Sequence, residues 1–292
     1  MRVAITGATG YVGRFFVAAA LARGHEVTAL TRSAPEGPVR HLPYDLSAPV
    51  PDLTGHDLLV HTAFAHVPGR YRGGEGEDPA GFLAANLGGT RRLFEAAVAA
   101  GVPRVAFLSS RAVFDGLPGG THLPEDLPPE PASLYGKAKL SAEEHLAALP
   151  LTGWSLRATG VFGLEPSDLA RPAPPAWRKW HAELTEAFAG HAPDPRRGTE
   201  VHGRDLADAL FLLAEADAPG GPVHVSDILL DRRELIEAAA AAAQRPLPLP
   251  ETSDAPVSAL GCGRLSAFGW APSGRARLHA EMPALLSAYG LA

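Results

Sequence analysis

The 292-residue chain has a single cysteine, Cys262, and no apolar run approaches the roughly 20 residues needed to cross a bilayer. One cysteine excludes an internal disulfide and a zinc site built from several cysteines. None of the 12 histidines stands in the spacing of a zinc motif such as H-E-x-x-H. We therefore expect neither a metal centre nor insertion into a membrane.

Runs of lysine and arginine are also missing, and the formal net charge is −6. Proteins that bind nucleic acid usually carry a basic patch, so we expect no nucleic-acid partner. The first residues lack the charged and apolar regions of a signal peptide, and we therefore expect the protein in the cytoplasm.

The first two-thirds of the chain alternates short β-branched segments with longer, alanine-rich amphipathic segments. This alternation predicts an α/β fold: a Rossmann-type, doubly wound parallel sheet covered by helices. The predicted strands cover residues 2–6, 26–31, 57–63, 104–110, 154–157 and 222–226. Helices are predicted at 12–23 and 79–100, each followed by a glycine of the kind that commonly ends a helix.

Two segments depart from this alternation. Residues 115–133 are rich in proline, glycine and acids, which predicts a long ordered loop. Residues 164–200 contain many prolines and show little periodicity. We therefore predict a dinucleotide-binding domain over residues 1–163, to which 201–228 return, and a smaller substrate-binding lobe formed by 164–200 and 229–292.

A glycine-rich segment follows the first predicted strand and opens the first helix. Gly7 allows a tight turn, Gly10 lets the backbone approach a pyrophosphate, and Gly13 lets the helix pack close to the strand. The free N–H groups and the positive dipole end of the helix attract phosphates. Because strand, glycines and helix occur in the required order, the segment predicts a dinucleotide site. Its predicted cofactor-binding residues are Thr6, Gly7, Thr9, Gly10, Tyr11, Val12 and Gly13.

The end of the second predicted strand bears on the choice of cofactor. An NAD site usually has an acid there to bind the ribose 2′-hydroxyl, whereas this chain has Arg32 and Ser33. A guanidinium and a hydroxyl are suitable donors to a 2′-phosphate. We therefore expect NADP(H) to be favoured over NAD(H). The other interpretation is that Arg32 is a solvated surface residue.

Ser110, Tyr135 and Lys139 form a candidate catalytic set. Ser110 ends a predicted strand, and Tyr135 and Lys139 are four residues apart and so share one face of a helix. A nearby ammonium lowers the pKa of a tyrosine, which at its usual value of about 10 exchanges protons poorly at neutral pH. Tyr135 could then exchange a proton with a carbonyl or alcohol oxygen during hydride transfer, while Ser110 holds that oxygen and Lys139 reaches the nicotinamide ribose. An ordinary exposed helix pair is the alternative, which the order of the motifs along the chain disfavours.

In these motifs the chain resembles the extended short-chain dehydrogenase/reductase family, also called the NAD-dependent epimerase/dehydratase family. Other segments similar to the family are Asp45-Leu46, His61-Thr62-Ala63, Asn86 to Thr90, Leu156 to Gly163 and Arg204 to Ala207. The resemblance implies that Asp45 and Leu46 lie at the adenine. It also implies that His61, Thr62, Ala63 and Asn86 belong to the cofactor site, and it supports the catalytic roles of Ser110, Tyr135 and Lys139.

Within the family, the segment from Ser110 to Gly116 (SRAVFDG) most resembles the S/T-x-x-V-F-D-G of dTDP-4-dehydrorhamnose reductases. Sugar-nucleotide dehydratases have an Asp-Glu pair where this chain has Arg111 and Ala112, which argues against dehydration. Gly160 stands where many nucleotide-sugar enzymes of the family have an asparagine in contact with the substrate's phosphate.

Three functions are therefore open. The first is a carbonyl reductase that uses NAD(P)H on a small molecule, with a deoxysugar nucleotide among the candidates. The second is a nucleotide-sugar epimerase that oxidises and re-reduces one carbon with a tightly bound NAD. The third, a non-catalytic dinucleotide-binding regulator, is disfavoured by the intact Ser110, Tyr135 and Lys139, and Arg32 favours the first.

Two further expectations concern surfaces. The resemblance implies a homodimer packed through helices at 79–100 and 132–149. Basic residues of the predicted lobe are candidates to bind an anionic substrate, namely Arg171, Arg178, Lys179, Arg196 and Arg197. Solvated charges on a proline-rich loop are the alternative for these residues. Trp177 and Trp180 are candidates to line a pocket, and packing in the core or at its rim is the alternative for them.

Overall fold

The computed structural model describes residues 1–67, 73–165 and 178–291. Its strands are β1 (Arg2–Thr6), β2 (Glu26–Thr31), β3 (Arg40–Pro43), β4 (Leu58–His61), β5 (Arg104–Ser110), β6 (His122–Leu123), β7 (Thr152–Ala158), β8 (Gly160–Phe162), β9 (Arg197–His202), β10 (Gly221–Val225), β11 (Ile228–Asp231) and β12 (Ala259–Leu260). Its helices are α1 (Gly13–Ala22), α2 (Pro79–Leu83), α3 (Gly89–Ala99), α4 (Leu134–Ala147), α5 (His181–Phe188), α6 (Gly203–Glu215), α7 (Arg232–Ala242), α8 (Gly263–Ala267) and α9 (Gly274–Tyr289). A π-helical segment, Ala84–Gly88, joins α2 to α3.

Seven strands form one parallel sheet in the order β10-β7-β5-β4-β1-β2-β3. The chain builds outward from β1 to β3, then crosses back to β4 and builds outward in the other direction. This reversal between β1 and β4 is the switch point at which doubly wound folds bind ligands, outside the carboxyl ends of the strands. The predicted Rossmann-type α/β fold is confirmed.

The observed strands agree with the predicted ones at most positions. β1, β2 and β5 have the predicted bounds, whereas the strand predicted at 57–63 ends at His61. It ends there because the N–H groups of Thr62 and Ala63 turn to the hydroxyl of Thr6, each at 3.2 Å. β3 was not predicted, since this four-residue edge strand is only partly buried and lacks an apolar run.

Helices cover both faces of the sheet. On one face α1 and α6 bury Phe15, Phe16 and Phe211, and on the other α3 and α4 bury Phe94 and Leu146. Strands with helices on both faces are buried throughout, which explains the apolar runs that predicted them.

A separate apolar cluster joins β8, α5, β11, α7 and α9 around Phe162, Leu184, Ile236 and Leu286. These elements fall mostly in the predicted smaller lobe. One segment of that lobe packs elsewhere, because Leu265 of α8 is buried in the core of the large sheet. The division into two domains stays a prediction. In the described ranges no helix has the length and apolarity required to span a membrane.

Candidate active site

The glycine-rich turn lies at the carboxyl end of β1, at the switch point. Gly7 has a φ of +64°, and a Cβ there would lie 2.8 Å from both the Ala63 nitrogen and the Thr62 hydroxyl. The N–H of Gly10 donates to the Gly7 carbonyl at 2.8 Å, and a Cβ on Gly13 would overlap that same carbonyl oxygen. Gly7 and Gly13 are therefore required for the tight turn and for the close approach of α1.

The amino end of α1 is suited to a dinucleotide phosphate. Within the described residues no side chain caps this helix. Thr9 is exposed, and Tyr11 and Val12 are partly exposed around the turn. The first N–H groups of a helix need acceptors, and with the helix dipole they attract an anion. The turn and α1 thus fit the pyrophosphate of a dinucleotide.

The residues beneath this turn join β1, β4 and α3. His61 is fully buried, and its ring nitrogens are hydrogen-bonded to the hydroxyls of Thr6 at 2.7 Å and Thr90 at 2.9 Å. Burial, with the positive charge of Lys139, lowers the pKa of His61 to about 3, so the ring is neutral. The Thr62 hydroxyl donates to the Thr6 carbonyl at 2.7 Å. The His61 side chain therefore supports the turn from below, and both of its ring nitrogens are already hydrogen-bonded within the protein.

Asn86 lies in the π-helical segment and is also buried. Its amide donates to the carbonyls of Ala65 at 2.7 Å and Phe82 at 3.0 Å, and its oxygen accepts from the Ala65 N–H at 2.7 Å. π-Helical turns often occur at functional sites. Here Asn86 fixes the chain that follows β4.

At the end of β2, the Gly7 N–H donates to the Leu30 carbonyl at 3.2 Å, which places the following residues next to the turn. Arg32 and Ser33 are both exposed there. Their side chains are therefore open to solvent beside the turn.

Asp45 and Leu46, the predicted adenine contacts, follow β3. Hydrogen bonds from the hydroxyl and N–H of Ser47, at 2.6 and 2.8 Å, and the charge of Arg32 lower the pKa of the Asp45 carboxyl. The Leu46 side chain is buried in the core of the sheet, and its carbonyl accepts from Arg92 at 2.7 Å. Asp45 is therefore available to a ligand, whereas the Leu46 side chain is part of the core.

Tyr135 and Lys139 share one face of α4, as predicted, and both contact Phe64. The Tyr135 ring stands edge-on to Phe64 with the centroids 5.1 Å apart, and the Lys139 Nζ lies 4.3 Å from the Phe64 centroid and 5.7 Å from that of Tyr135. Lys139 is buried and donates to the Leu108 carbonyl at 2.7 Å. The sequence analysis did not identify Phe64 as a residue of the site, because its side chain carries no polar group.

Two serines end β5, and only one of them faces the site. Ser109 is buried and donates its hydroxyl to the carboxylate of Glu143. Ser110 is partly exposed, and its oxygen accepts from the Ala112 N–H at 3.1 Å. Because side chains alternate along a strand, Ser110 is the serine available to a substrate.

Lys139 has a pKa far from that of a free lysine in the cofactor-free protein. Burial lowers it to about 7, against the opposing effect of Glu143. Above pH 7 the unfolded chain holds a proton at this lysine that the folded chain has lost, so stability rises with pH up to the usual lysine value. Relative to Lys139→Met, the wild-type free energy of unfolding should increase by about 2 kcal/mol between pH 7 and 9.

Urea unfolding at the two pH values measures this difference. The exposed Lys137, on the same helix, provides the control, and Lys137→Met should leave the pH dependence of the wild type unchanged. Parallel pH dependence of the wild type and Lys139→Met would contradict the lowered pKa.

Asp115 positions the start of α4, a role that the sequence analysis did not predict. Its carboxylate accepts from the Ala132 N–H at 2.7 Å and from the Ser133 hydroxyl at 2.5 Å, and Ser133 in turn caps α4 at the Gly136 N–H. Tyr135 therefore stands on a helix end that is tied to the segment after β5. The sequence showed Asp115 only inside a family motif.

A buried chain of polar groups lies behind the catalytic set. Arg157 of β7 binds Glu143 of α4 through two nitrogens, with Nη2 at 2.7 Å and Nε at 3.1 Å from Oε2. Arg157 also contacts the His224 ring at 3.4 Å, and burial with this charge lowers the pKa of His224 to about 4. The sequence analysis did not predict this pair. Because buried charges must be paired, the arginine inside an otherwise apolar strand was the signal that could have indicated it.

Comparison with known proteins agrees with this arrangement. A sequence model of the NAD dependent epimerase/dehydratase family matches residues 3–226. The chain belongs to this family. The resemblance found in the motifs is confirmed, and with it the prediction of an NAD(P)-dependent enzyme of the oxidoreductase and epimerase type.

The relatives that this chain resembles are named for different reactions and ligands. A dTDP-6-deoxy-L-talose 4-dehydrogenase (NAD(P)(+)) of Kitasatospora kifunensis is 36% identical over 170 residues, 56% of this chain and 53% of that protein. The match thus spans about half of that relative. A dTDP-4-dehydrorhamnose reductase of Mycobacterium tuberculosis is 28% identical over 77% of this chain and 70% of its own length. The structure of MoeE5 in complex with UDP-glucuronic acid and NAD superposes with a TM-score of 0.77 at 25% identity, over 98% of this chain and 99% of that one.

Of the basic residues predicted to bind an anion, those that the structure describes have separate surroundings. Arg171 and Trp177 lie outside the described residues. The Arg197 guanidinium donates to the carbonyls of Asp254 and Ala255, whereas Lys179 is paired with Glu200. Arg178 is partly buried and has a partner, Arg196 is exposed, and Trp180 packs against Phe162 with the ring centroids 5.3 Å apart.

Proposed function

We propose that this family member is an NAD(P)-dependent oxidoreductase that reduces a carbonyl on a small molecule, with Ser110, Tyr135 and Lys139 as catalytic residues. The observation that carries the proposal is the placement of Tyr135 and Lys139 on one face of α4, around Phe64 and beside the end of β5. The turn that fits a pyrophosphate lies at the end of β1, which is separated from β5 in the sheet by β4 alone. Relatives named for dTDP-sugars make a deoxysugar nucleotide one candidate substrate.

In the proposed reaction, the bound cofactor supplies a hydride to the carbonyl carbon. The Tyr135 hydroxyl gives its proton to the carbonyl oxygen, so that an alcohol forms. Ser110 donates a hydrogen bond to the same oxygen, and the ammonium of Lys139 stabilises the phenolate left on Tyr135. The reverse sequence oxidises an alcohol.

The preference for NADP(H) follows from Arg32. Its exposed guanidinium beside the turn would pair with a ribose 2′-phosphate, and Ser33 would add a hydroxyl donor. Arg32→Ala should weaken NADPH binding by about tenfold to a hundredfold, since a charge-assisted hydrogen bond contributes about 1.5–3 kcal/mol. NADH binding should stay nearly constant.

Calorimetric titration of nucleotide-stripped protein with each cofactor measures both effects. Arg245, in the chain after α7, supplies the control, because Arg245→Ala removes an equal charge elsewhere. Equal dissociation constants for NADPH and NADH in the wild type would refute the role given to Arg32 and leave it a surface residue.

The same preparation separates reductase from epimerase. A reductase must exchange its cofactor at each turnover, whereas an epimerase regenerates it and should purify with NAD bound. Membership in a family that includes epimerases keeps this second function open. Co-purified NAD that is released only on unfolding would place the epimerase first.

The homodimer implied by the family resemblance is part of the proposal. It would pack through α2, the π-helical segment, α3 and α4, where Leu83, Leu87 and Val98 are only partly buried in the single chain. Light scattering at micromolar concentration decides it, and a monomer mass would reject the dimer.

A further inference from the structure

A charged pair occupies the space above Gly160, at the start of β8. Gly160 lies directly opposite Glu200 in the register of β8 and β9. Lys179 donates from its Nζ to Oε2 of Glu200. A Cβ on Gly160 would overlap the Glu200 carboxylate and lie 2.6 Å from the Lys179 Nζ. The two long side chains therefore stand where a side chain of residue 160 would be.

The strand whose first residue this pair covers, β8, begins near the Ser110 end of β5 and contacts the glycine turn. Gly160 comes two residues after Ala158, which is the partner of Ser110 in the β5–β7 register. The hydroxyl of Tyr11, in the glycine turn, donates to the Val161 carbonyl at 3.3 Å. Gly160, which the pair covers, is therefore two residues from the Ser110 partner in β7 and one residue from the contact with the turn.

Both members of the pair are partly open to solvent and firmly held. The side chain of Lys179 is 20% exposed and that of Glu200 is 14% exposed. Trp180 adopts a left-handed backbone conformation with φ of 62°, and its ring packs on Phe162 with the Lys179 Nζ 5.2 Å away. The N–H of Asp227 donates to the Glu200 carbonyl at 3.0 Å. A left-handed conformation in a tryptophan persists only where the surroundings impose it, so the backbone next to Lys179 is fixed by its contacts.

The pair offers a hydrogen-bond donor and an acceptor side by side, with no net charge. A hydroxyl group satisfies both, because it can accept from the ammonium and donate to the carboxylate. A phosphate that approached Lys179 would instead lie against the negative charge of Glu200, with no hydroxyl proton to offer it.

We propose, on the basis of the function above, that Lys179 and Glu200 select an uncharged, hydroxylated carbonyl compound such as a free sugar, and disfavour its nucleoside-diphosphate form. Glu200 is thus the specificity-determining residue of the substrate side. Among the candidate substrates of the reductase, this proposal favours the small hydroxylated carbonyl compound over the deoxysugar nucleotide.

The test uses UDP as a probe of diphosphate binding to the protein saturated with oxidised cofactor. By calorimetry the wild type should bind UDP with a dissociation constant weaker than about 1 mM. Glu200→Gln, which removes the negative charge and keeps the shape, should bind UDP at least about tenfold more tightly, equivalent to about 1.4 kcal/mol. Lys179→Met, which leaves the carboxylate alone, should show no detectable binding.

Glu183→Gln is the matched control, since Glu183 forms a comparable, partly buried ion pair with Arg232 at 2.9 Å. It should bind UDP as the wild type does. Thermal melting of all variants checks that they fold. Micromolar binding of UDP to the wild type, or an unchanged affinity in Glu200→Gln, would overturn the inference.

The outcome is independent of the proposed reaction. If UDP binds tightly while Tyr135→Phe abolishes turnover, the substrate class is wrong and the catalytic assignment stands. If UDP is rejected as expected while Tyr135→Phe stays active, the catalytic assignment fails and the selectivity of the pair stands.

Discussion

Tyr135→Phe should lower kcat about a thousandfold, because it removes the only proton that the proposed mechanism supplies to the carbonyl oxygen. Phenylalanine keeps the edge-on packing against Phe64, so the helix and the pocket wall should be preserved. Cofactor binding should change by less than about twofold, since the phosphate turn is untouched. Steady-state oxidation of NADPH with a ketone substrate and calorimetric titration of the cofactor measure the two quantities separately.

Tyr44→Phe is the matched control for this experiment. The Tyr44 hydroxyl is buried, and among the described residues it has no hydrogen-bond partner. Burial raises its pKa to about 12, so it cannot exchange protons near neutral pH. Removing this hydroxyl should leave turnover unchanged. Residual activity of Tyr135→Phe above about a tenth of the wild type would remove Tyr135 from its role.

Arg157→Met should lower the free energy of unfolding by about 3–5 kcal/mol, the cost of leaving a buried charge without its partner. The side chains of Arg157 and Glu143 are only 5% and 7% exposed. Without the guanidinium, Glu143 keeps only the Ser109 hydroxyl as a partner among the contacts described above. Chemical denaturation of the cofactor-free protein gives the value.

Two further variants show whether the loss of stability in Arg157→Met comes from the unpaired buried charge. The double variant Glu143→Leu with Arg157→Met replaces the pair by apolar groups and should recover much of the loss, since a buried pair contributes little beyond its own desolvation. Arg233→Met breaks the exposed pair with Glu237, at 3.0 Å, and should cost less than about 1 kcal/mol. A loss below 1 kcal/mol in Arg157→Met would show that water or another group replaces the guanidinium.

The same pair also affects the pKa of Lys139, because Glu143 lies one helical turn after this lysine. Its negative charge opposes the effect of burial on the pKa of Lys139. In the double variant this opposition is lost, and the Lys139 pKa should fall below 7. The buried Glu143–Arg157 pair thus links the stability of the protein to the protonation state of Lys139.

Local signals in the sequence determined the parallel sheet, the glycine-rich turn and the common helix face of Tyr135 and Lys139. Apolar runs of four to seven residues predict buried strands because both faces of a parallel sheet are covered. The glycines at 7, 10 and 13 predict the turn, since only glycine permits its backbone approach and the close packing of α1. The spacing of Tyr135 and Lys139 predicts their common face from helical geometry alone.

Only the tertiary structure decided which polar residues face the site and which support it. His61 and Asn86 occur in motifs that indicate cofactor contact, yet their hydrogen bonds go to Thr90 and Ala65. Such partners are distant along the chain, and periodicity carries no information about them. The edge strand β3 was not predicted, because a short, partly exposed strand needs no apolar run that the sequence would show.

For the pairs Glu143–Arg157 and Lys179–Glu200, too, the sequence shows the charged residues and the tertiary structure decides their partners. Each charge is visible in the sequence, but its partner is set by strand register and helix packing. Register brings Glu200 opposite Gly160, and the absence of a side chain there leaves room for both long side chains. Chemistry that depends on residue type and short spacing is therefore readable from the sequence. The identity of the group that each charge meets depends on how distant segments pack.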